Sequence, residues 1–353
     1  MSELQVPIRS AVLALPRYVP GKALPGASKL SSNEMPDVPS EGILDAMRRA
    51  LETVNRYPDL TAAPVREALA ARFDVSPDQI CVSTGSSALL LAALSAVCED
   101  GARVVYPWRS FESYPIAIPA SHGVGVPVPL DEDGAHDVEA LVREAQDAAV
   151  LILCSPNNPT GPALAFETIA DVVERVPDST LVLVDEAYID FATDPAVRTA
   201  VPLIADHPNV LVLRTFSKVH ALAGVRVGYA IGNAELIGAI QAVAVPFGVS
   251  TVAQAGALAS IADEDGVREA ASRVIAERER VVAALRDLGY AVPETQANFF
   301  FLPGLGADFV EACAAAGLVV RPFPEGVRVT VGAPEENDRF LAVADTLSSR
   351  TRP

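Results

Sequence analysis

The sequence predicts an α/β protein with a mostly parallel sheet flanked by helices and a second, smaller α+β domain. Six short runs rich in β-branched residues alternate with helical stretches. Two of these runs, 150–153 and 181–184, are entirely apolar, as parallel strands covered by helices on both faces are. A chain of 353 residues also exceeds what one hydrophobic core usually supports. Two packed domains are therefore expected.

The first part of the chain predicts an arm followed by alternating helices and strands. Residues 1–35 are rich in Pro, Gly and Ser and show no sustained period, which predicts an extended arm with turns. Amphipathic helices are predicted at 40–54 and 63–73. The strands share short runs of β-branched residues and are predicted at 80–83, 103–106, 124–128, 149–154, 180–184 and 209–213.

The pattern changes after residue 246. An uncharged stretch at 236–262 is interrupted by Pro246 and Gly248, which favours two buried helices broken at 245–248 over a membrane span. The later elements are predicted as a long charged helix at 265–288, a strand at 298–302, a helix at 307–316, strands at 318–321 and 327–331, and a helix at 335–348. The predicted domains are an N-terminal arm, 1–35, contributing to the small domain, a large domain, 36–245, and a small domain, 246–353.

Composition excludes several classes of partner. The 45 acidic and 27 basic side chains give a net charge of −18, which argues against nucleic acid or an anionic membrane as the main partner. Four widely spaced cysteines and the lack of a secretory h-region predict reduced thiols in a cytoplasmic protein. The histidines have no ligand spacing, so no metal site is predicted. Small molecules are the class of ligand that the composition does not exclude.

Lysine is scarce, and one lysine stands alone. The basic residues are 24 arginines and three lysines, Lys22, Lys29 and Lys218, of which two lie in the first thirty residues. Arginine carries a positive charge but does not readily lose a proton to become an amine nucleophile. A Schiff base requires lysine, so Lys218 is a candidate for covalent chemistry.

Polar residues follow four of the predicted strands, at the edge where open parallel sheets bind ligands. They are Ser83-Thr84-Gly85-Ser86-Ser87, Asn157-Asn158-Pro159-Thr160-Gly161, Asp185-Glu186-Ala187-Tyr188, and Thr215-Phe216-Ser217-Lys218 with Arg226. Each has an ordinary alternative as a turn, a helix cap or a surface residue. Together they match pyridoxal phosphate, which needs a lysine, a carboxylate for its ring nitrogen, donors for O3′ and an anion site for phosphate.

Further motifs extend the match over nearly the whole chain: Tyr18-Val19-Pro20-Gly21-Lys22, Asn55-Arg56-Tyr57-Pro58-Asp59, Trp108-Arg109-Ser110-Phe111-Glu112, Gln296-Ala297-Asn298-Phe299 and Gly326-Val327-Arg328-Val329-Thr330. With them the chain resembles the fold-type I, pyridoxal-phosphate-dependent aminotransferases of the histidinol-phosphate aminotransferase family. Within that family it resembles most the aromatic amino acid (phenylalanine) branch. The acidic pair that most histidinol-phosphate enzymes carry is replaced here by Ser87-Ala88, a loss shared with that branch.

The resemblance implies roles for individual residues. Lys218 would form the Schiff base with pyridoxal 5′-phosphate and move the substrate proton, and Asp185 would hold the pyridine nitrogen. The remaining cofactor contacts would be Asn158 and Tyr188 at O3′, Phe111 (or Trp108) stacked on the ring, Ser86, Ser87, Ser217 and Arg226 at the phosphate, and Tyr57 reaching across from the other subunit of a homodimer. The substrate would be bound by Arg328 at its α-carboxylate and by Asn33, Tyr18, Asn298 and Arg321.

The resemblance predicts transfer of an amino group from phenylalanine, tyrosine or tryptophan to a 2-oxo acid such as 2-oxoglutarate. Histidinol-phosphate transamination is the alternative, with Arg17 and Arg321 as possible donors to the phosphate. A decarboxylase and a non-catalytic cofactor-binding module are more distant alternatives. His220 stands where the family is usually aromatic, and a packed or half-exposed ring is expected there.

Overall fold

The computed structural model describes residues 6–15 and 25–351 of the chain. Its strands are β1 (Ser28–Lys29), β2 (Ile80–Ser83), β3 (Arg103–Trp108), β4 (Val124–Pro129), β5 (Val150–Cys154), β6 (Leu181–Asp185), β7 (Val210–Thr215), β8 (Gly228–Gly232), β9 (Phe299–Pro303), β10 (Leu318–Val319), β11 (Arg321–Phe323) and β12 (Gly326–Thr330). Its α-helices are α1 (Ser10–Leu13), α2 (Glu41–Ala50), α3 (Ala63–Phe73), α4 (Ser86–Val97), α5 (Tyr114–Ala120), α6 (Val138–Glu144), α7 (Phe166–Arg175), α8 (Ala234–Val243), α9 (Thr251–Ala262), α10 (Glu264–Asp287), α11 (Ala307–Ala315) and α12 (Pro334–Thr351).

Seven strands form the main sheet, in the order β2-β8-β7-β6-β5-β3-β4. Strands β3 to β7 are paired in parallel, which confirms the predicted mostly parallel sheet. Strand β8 is antiparallel to both of its neighbours, β2 and β7, and was not predicted. Its Gly-Tyr-Ala-Ile-Gly sequence has one β-branched residue between two glycines, so it lacks the usual composition of a strand.

The main sheet is covered on both faces. Residues of β5, β6 and β7 are all buried. Alternate side chains of one strand enter different cores: Leu151 and Leu153 pack with α3 and α7, whereas Val150 and Ile152 pack with α4 and α5. Because successive side chains of a strand point to opposite faces, the continuous apolar runs are explained by burial on both sides, as predicted.

A second core forms around a three-stranded antiparallel sheet of order β11-β12-β9. Phe299 and Phe300 of β9 pack there with the buried faces of α10 and α12, for example Leu285 and Phe340. Strand β1 pairs in parallel with β10, and Leu30 enters this same core. The segment after residue 25 therefore packs with the second core. The predicted strand 318–321 is divided into β10 and β11, which have different partners.

Helices α8 and α9 are separate, as the break at 245–248 predicts. Ala253 and Ala257 of α9 are buried in the first core, with Ile43 of α2 and Leu69 of α3. Packing thus changes from the first core to the second between α9 and α10, later along the chain than the predicted division at residue 246. Among the described residues, no helix combines the length and apolar character that crossing a membrane requires.

Candidate active site

A cavity of about 320 Å³ lies between the carboxyl ends of the parallel strands and the β11-β12 hairpin. It brings together twelve of the residues singled out in the sequence: Asn33, Ser86, Ser87, Phe111, Asn158, Asp185, Tyr188, Ser217, Lys218, Arg226, Arg321 and Arg328. Tyr18 and Arg17 fall outside the described part of the chain. Residues from both cores contribute, so the cavity is built by their packing against each other.

Lys218 lies just after β7, with its amine in the cavity. The Nζ atom donates a hydrogen bond to the carbonyl oxygen of Ser32, at 3.2 Å. Burial, and secondly the positive charge of Arg328, lower the pKa of Lys218 to about 7. A lysine in this environment has a large neutral fraction near neutral pH, which is the form that acts as nucleophile or base.

Asp185 ends β6 and is buried beneath the same cavity. Its carboxylate accepts hydrogen bonds from the hydroxyl of Tyr114 at 2.9 Å and from the amide of Ala187 at 3.2 Å. Burial raises the pKa of Asp185, while these two bonds and the charge of Lys218 oppose that rise. Tyr114 was missed in the sequence, where it reads as one more apolar residue of a short helix; its place three residues after Phe111 is the only available signal.

Arg328, in the middle of β12, is fixed by two bonds from its guanidinium. Nη1 donates to Oδ1 of Asn158, and Nη2 donates to the carbonyl oxygen of Ser31 at 2.6 Å. The two acceptors belong to the turn after β5 and to the segment after β1. The arginine therefore joins three parts of the chain at the cavity wall, with its charge buried.

Tyr188 is held from behind by the segment after β1. Nδ2 of Asn33 donates to the Tyr188 hydroxyl oxygen at 2.9 Å, and the ring meets Phe299 edge-on with centroids 5.0 Å apart. Asn33 has a left-handed backbone, with φ of 55°. Asn298 lies behind it, donating to its carbonyl oxygen at 3.2 Å, and is not among the cavity residues. Its predicted contact with substrate therefore stays a prediction.

The residues around the N-terminus of α4 have the features of an anion-binding site. Ser86 and Ser87 begin α4, whose N-terminus carries partial positive charge. Arg226 donates from Nη1 to the Ser217 hydroxyl at 3.3 Å. A Cβ placed on Gly85, which has φ of 100°, would lie 2.9 Å from Nη2 of Arg226. A side chain here would crowd the guanidinium, and the positive φ itself favours glycine.

Three other candidates are placed as follows. Phe111 lines the cavity, whereas Trp108 does not, so Phe111 is the better candidate for stacking. Tyr57 is 83% exposed and stacks on Phe247 with centroids 4.7 Å apart, away from the cavity of its own chain. His220 is buried, with Nδ1 2.8 Å from the Ser260 hydroxyl, and burial lowers its pKa to about 4. His220 is therefore a packed ring.

Glu112 is one of the cavity residues that received no role from the sequence. Glu112 lies in the segment after β3, and its Oε2 is 2.7 Å from Nη2 of Arg321. It stands inside the Trp-Arg-Ser-Phe-Glu motif, but nothing in the motif indicates that its partner is an arginine more than 200 residues later in the chain.

Comparisons with known proteins agree with this geometry. The family model described as aminotransferase class I and II matches residues 26–343. An aromatic amino acid aminotransferase of Rhodococcus erythropolis is 45% identical over 343 residues, covering 96% of this chain and 95% of that protein. One of Thermobifida fusca is 45% identical over 360 residues, covering 99% and 100%. A histidinol-phosphate aminotransferase of Sinorhizobium meliloti, solved in complex with pyridoxal-5′-phosphate, superposes with a TM-score of 0.89 at 26% identity, covering 98% of each chain.

Proposed function

Because the chain belongs to the class I and II aminotransferases, we propose that it transfers the amino group of an aromatic amino acid to a 2-oxo acid such as 2-oxoglutarate, with pyridoxal 5′-phosphate as cofactor. The observation that carries this proposal is the amine of Lys218, with a pKa of about 7, in one cavity with the carboxylate of Asp185 and the guanidinium of Arg328. The aromatic donor is supported by the names of relatives that align over nearly their whole length.

The residues present fit the proposed cofactor. Its phosphate requires donors and positive charge, which the N-terminus of α4, Ser217 and Arg226 supply at one end of the cavity. Its ring nitrogen requires a carboxylate, and the buried Asp185 is available at the other end. Pyridoxal phosphate, when bound, supplies an electron sink for the electrons of the substrate Cα–H bond.

Lys218 is the base in the proposed reaction. Its Nζ would take the proton from the substrate Cα and would be the group that returns a proton on the cofactor side. The lowered pKa favours the neutral amine that this transfer needs. Asp185 would hold the pyridine nitrogen of the cofactor in its protonated form, and hydrogen bonds from Tyr114 and the Ala187 amide orient that carboxylate.

Asn158, Tyr188 and Arg328 orient the bound groups. The Tyr188 hydroxyl oxygen accepts from Asn33, so its own hydrogen can be donated to O3′. Asn158 accepts from Arg328 through Oδ1, which directs its amide hydrogens elsewhere. The planar guanidinium of Arg328 suits a bidentate pair with the substrate α-carboxylate. Binding at this point would hold the substrate in the cavity that Lys218 also lines.

We propose further that the active unit is a homodimer. In the single chain, Ser87 and Arg226 at the proposed phosphate site are exposed. Tyr57 is also exposed, within an apolar surface that includes Val54, Leu60 and Val245 at 60%, 58% and 74% exposure. A second copy that buries this surface and delivers Tyr57 to the phosphate would account for both features. A cytoplasmic location is supported by four cysteines that form no disulfide.

The proposal is tested by assaying the purified protein with phenylalanine and 2-oxoglutarate. Lys218→Ala is expected to abolish both turnover and the visible absorbance of the bound cofactor. The control, Arg268→Ala, removes exposed ion pairs with Glu264 and Asp265 on α10, away from the cavity, and should retain activity within about threefold. Retained turnover in Lys218→Ala would contradict the assignment. A kcat/KM for histidinol phosphate far above that for phenylalanine would favour the histidinol-phosphate alternative.

A further inference from the structure

Two arginines stand side by side on the wall of the cavity. Arg321 of β11 and Arg328 of β12 are directly opposite in the antiparallel pair, so their side chains leave the same face of the hairpin. Both line the cavity. A substrate whose α-carboxylate is bound by Arg328 would thus extend its far end along a surface that carries a second cation.

The second cation is compensated by a carboxylate from the other core. Glu112 pairs with Arg321 at 2.7 Å, and the side chains of the two are 34% and 14% exposed. Arg321 also lies over the ring of Phe323, 5.8 Å from its centroid. This end of the cavity therefore carries a nearly neutral ion pair, and its arginine contacts the ring of Phe323, which does not itself line the cavity.

We propose that Glu112 is the specificity-determining residue of this enzyme: it holds Arg321, and a substrate with a second anionic group must displace it. An aromatic amino acid leaves the pair intact and packs its ring beside it. The inference rests on the proposed function, since it concerns which donors and acceptors the same cavity admits.

The physical reason is a competition between like charges. A second carboxylate or a phosphate that approaches Arg321 is repelled by Glu112 and must replace its hydrogen bond. Removal of the Glu112 charge takes this carboxylate away from the Arg321 guanidinium, which favours anions and disfavours an apolar ring at this end of the cavity. Specificity is then a difference between two affinities set by one residue.

A neighbouring ion pair provides the control. Arg109 and Glu325 are joined at 2.9 Å and link the same two segments with the opposite polarity. Neither residue lines the cavity. Glu325→Gln therefore weakens another ion pair between the same two segments without changing the charge that faces the substrate.

The test compares Glu112→Gln with Glu325→Gln as holoenzymes, using two unreactive carboxylates. Dissociation constants are measured for glutarate, which has a second carboxylate, and for 3-phenylpropanoate, which has a ring. In Glu112→Gln we expect the affinity for glutarate relative to 3-phenylpropanoate to rise on the order of tenfold. In Glu325→Gln this ratio should remain unchanged. The ratio of kcat/KM for histidinol phosphate to that for phenylalanine should rise in parallel.

An unchanged ratio in Glu112→Gln, or an equal change in Glu325→Gln, would overturn the inference. Adding Arg321→Gln to Glu112→Gln should cancel the gain, and a gain that survives would show that Arg321 is not the group being released. The assay of the wild-type enzyme with phenylalanine tests the proposed function separately. Its result does not depend on the ratio of the two dissociation constants, so failure of the inference can be distinguished from failure of the proposed function.

Discussion

The chemistry of Lys218 depends on what surrounds its amine. Burial, and then Arg328, lower its pKa from 10.5 to about 7. Between these values the unfolded chain binds the proton that the folded chain has released. The stability of the cofactor-free protein should therefore rise as the pH rises from about 7 towards 10.5. The site thus trades stability at neutral pH for an amine that is partly neutral there.

This pKa can be tested without turnover. In the cofactor-free protein, the rate at which Lys218 is acetylated by a small amount of acetic anhydride should rise with pH and reach half of its maximum near pH 7, because only the neutral amine reacts. Peptide mass spectrometry measures this rate, with the exposed Lys29 as a reference in the same digest. A half-point near the ordinary lysine value of about 10.4 would contradict the predicted shift.

The guanidinium of Arg328 should be irreplaceable by another cation. Arg328→Lys keeps the charge but loses the two-pronged geometry that bonds Asn158 and Ser31 and would meet the substrate carboxylate. We expect kcat/KM for phenylalanine to fall on the order of tenfold to a hundredfold, with cofactor absorbance retained. Steady-state kinetics checks this. A loss of cofactor instead would assign Arg328 to the cofactor site.

At the scale of elements, close packing between β8 and α4 shapes the phosphate end of the cavity. A Cβ on Gly228 would lie 2.6 Å from the backbone nitrogen of Ser86 and 2.9 Å from the carbonyl oxygen of Arg214. The first turn of α4 therefore rests directly on the backbone of β8. Its amide groups can face the proposed phosphate only while that contact is kept.

Gly228→Ala should consequently weaken cofactor binding. The added methyl group must displace the start of α4, and we expect the dissociation constant for pyridoxal phosphate to rise at least on the order of tenfold. The control is Gly238→Ala in α8, where an added Cβ has open space; it should bind as the wild type does. Fluorescence titration of the cofactor-free proteins measures both. Equal affinities would show that the helix start adjusts without loss.

The order of the elements could be predicted because strands buried on both faces appear in the sequence as continuous apolar runs. Strands β5 to β7 each contain a continuous apolar run, and their predicted positions agree with the structure within two residues. Strand β8 escaped prediction because close approach to α4 requires glycine, which is a poor strand former. Strands β10 and β11 were predicted as one strand, 318–321. The sequence of this short segment does not indicate that the pairing partner changes from β1 to β12.

Some residues of the candidate site could also be predicted from sequence, and others could not. Lys218, Asp185 and Asn158 lie at or just after the carboxyl ends of buried strands. They could be located from sequence because the carboxyl ends of parallel strands meet at one edge of the sheet. Tyr114 and Glu112 could not, because their importance comes from partners distant in sequence, Asp185 and Arg321. Side chains that act through a contact between separate parts of the chain are recognised only once the cores are packed.

At the scale of the whole molecule, the cavity depends on two cores meeting. Asp185 ends β6 of the first sheet and Lys218 follows β7, whereas Arg321 and Arg328 belong to the second sheet. The segment after β1 supplies the carbonyls of Ser31 and Ser32, which accept hydrogen bonds from Arg328 and Lys218 respectively. A shift of one core relative to the other would separate the base from the carboxylate-binding arginine. Interdomain contacts are therefore expected to affect turnover more than cofactor binding.

The proposed homodimer completes the site, and one surface substitution can test it. Val54→Asp places a charge in the exposed apolar surface around Tyr57 and should disfavour its burial by a second copy. Light scattering with size-exclusion chromatography should show a shift towards monomer, together with weaker cofactor binding, because the partner's tyrosine is lost. Val124→Asp, an equally drastic change at a 53% exposed valine of the edge strand β4, should stay dimeric. If Val54→Asp remained dimeric with full affinity, the second copy would have to bind elsewhere.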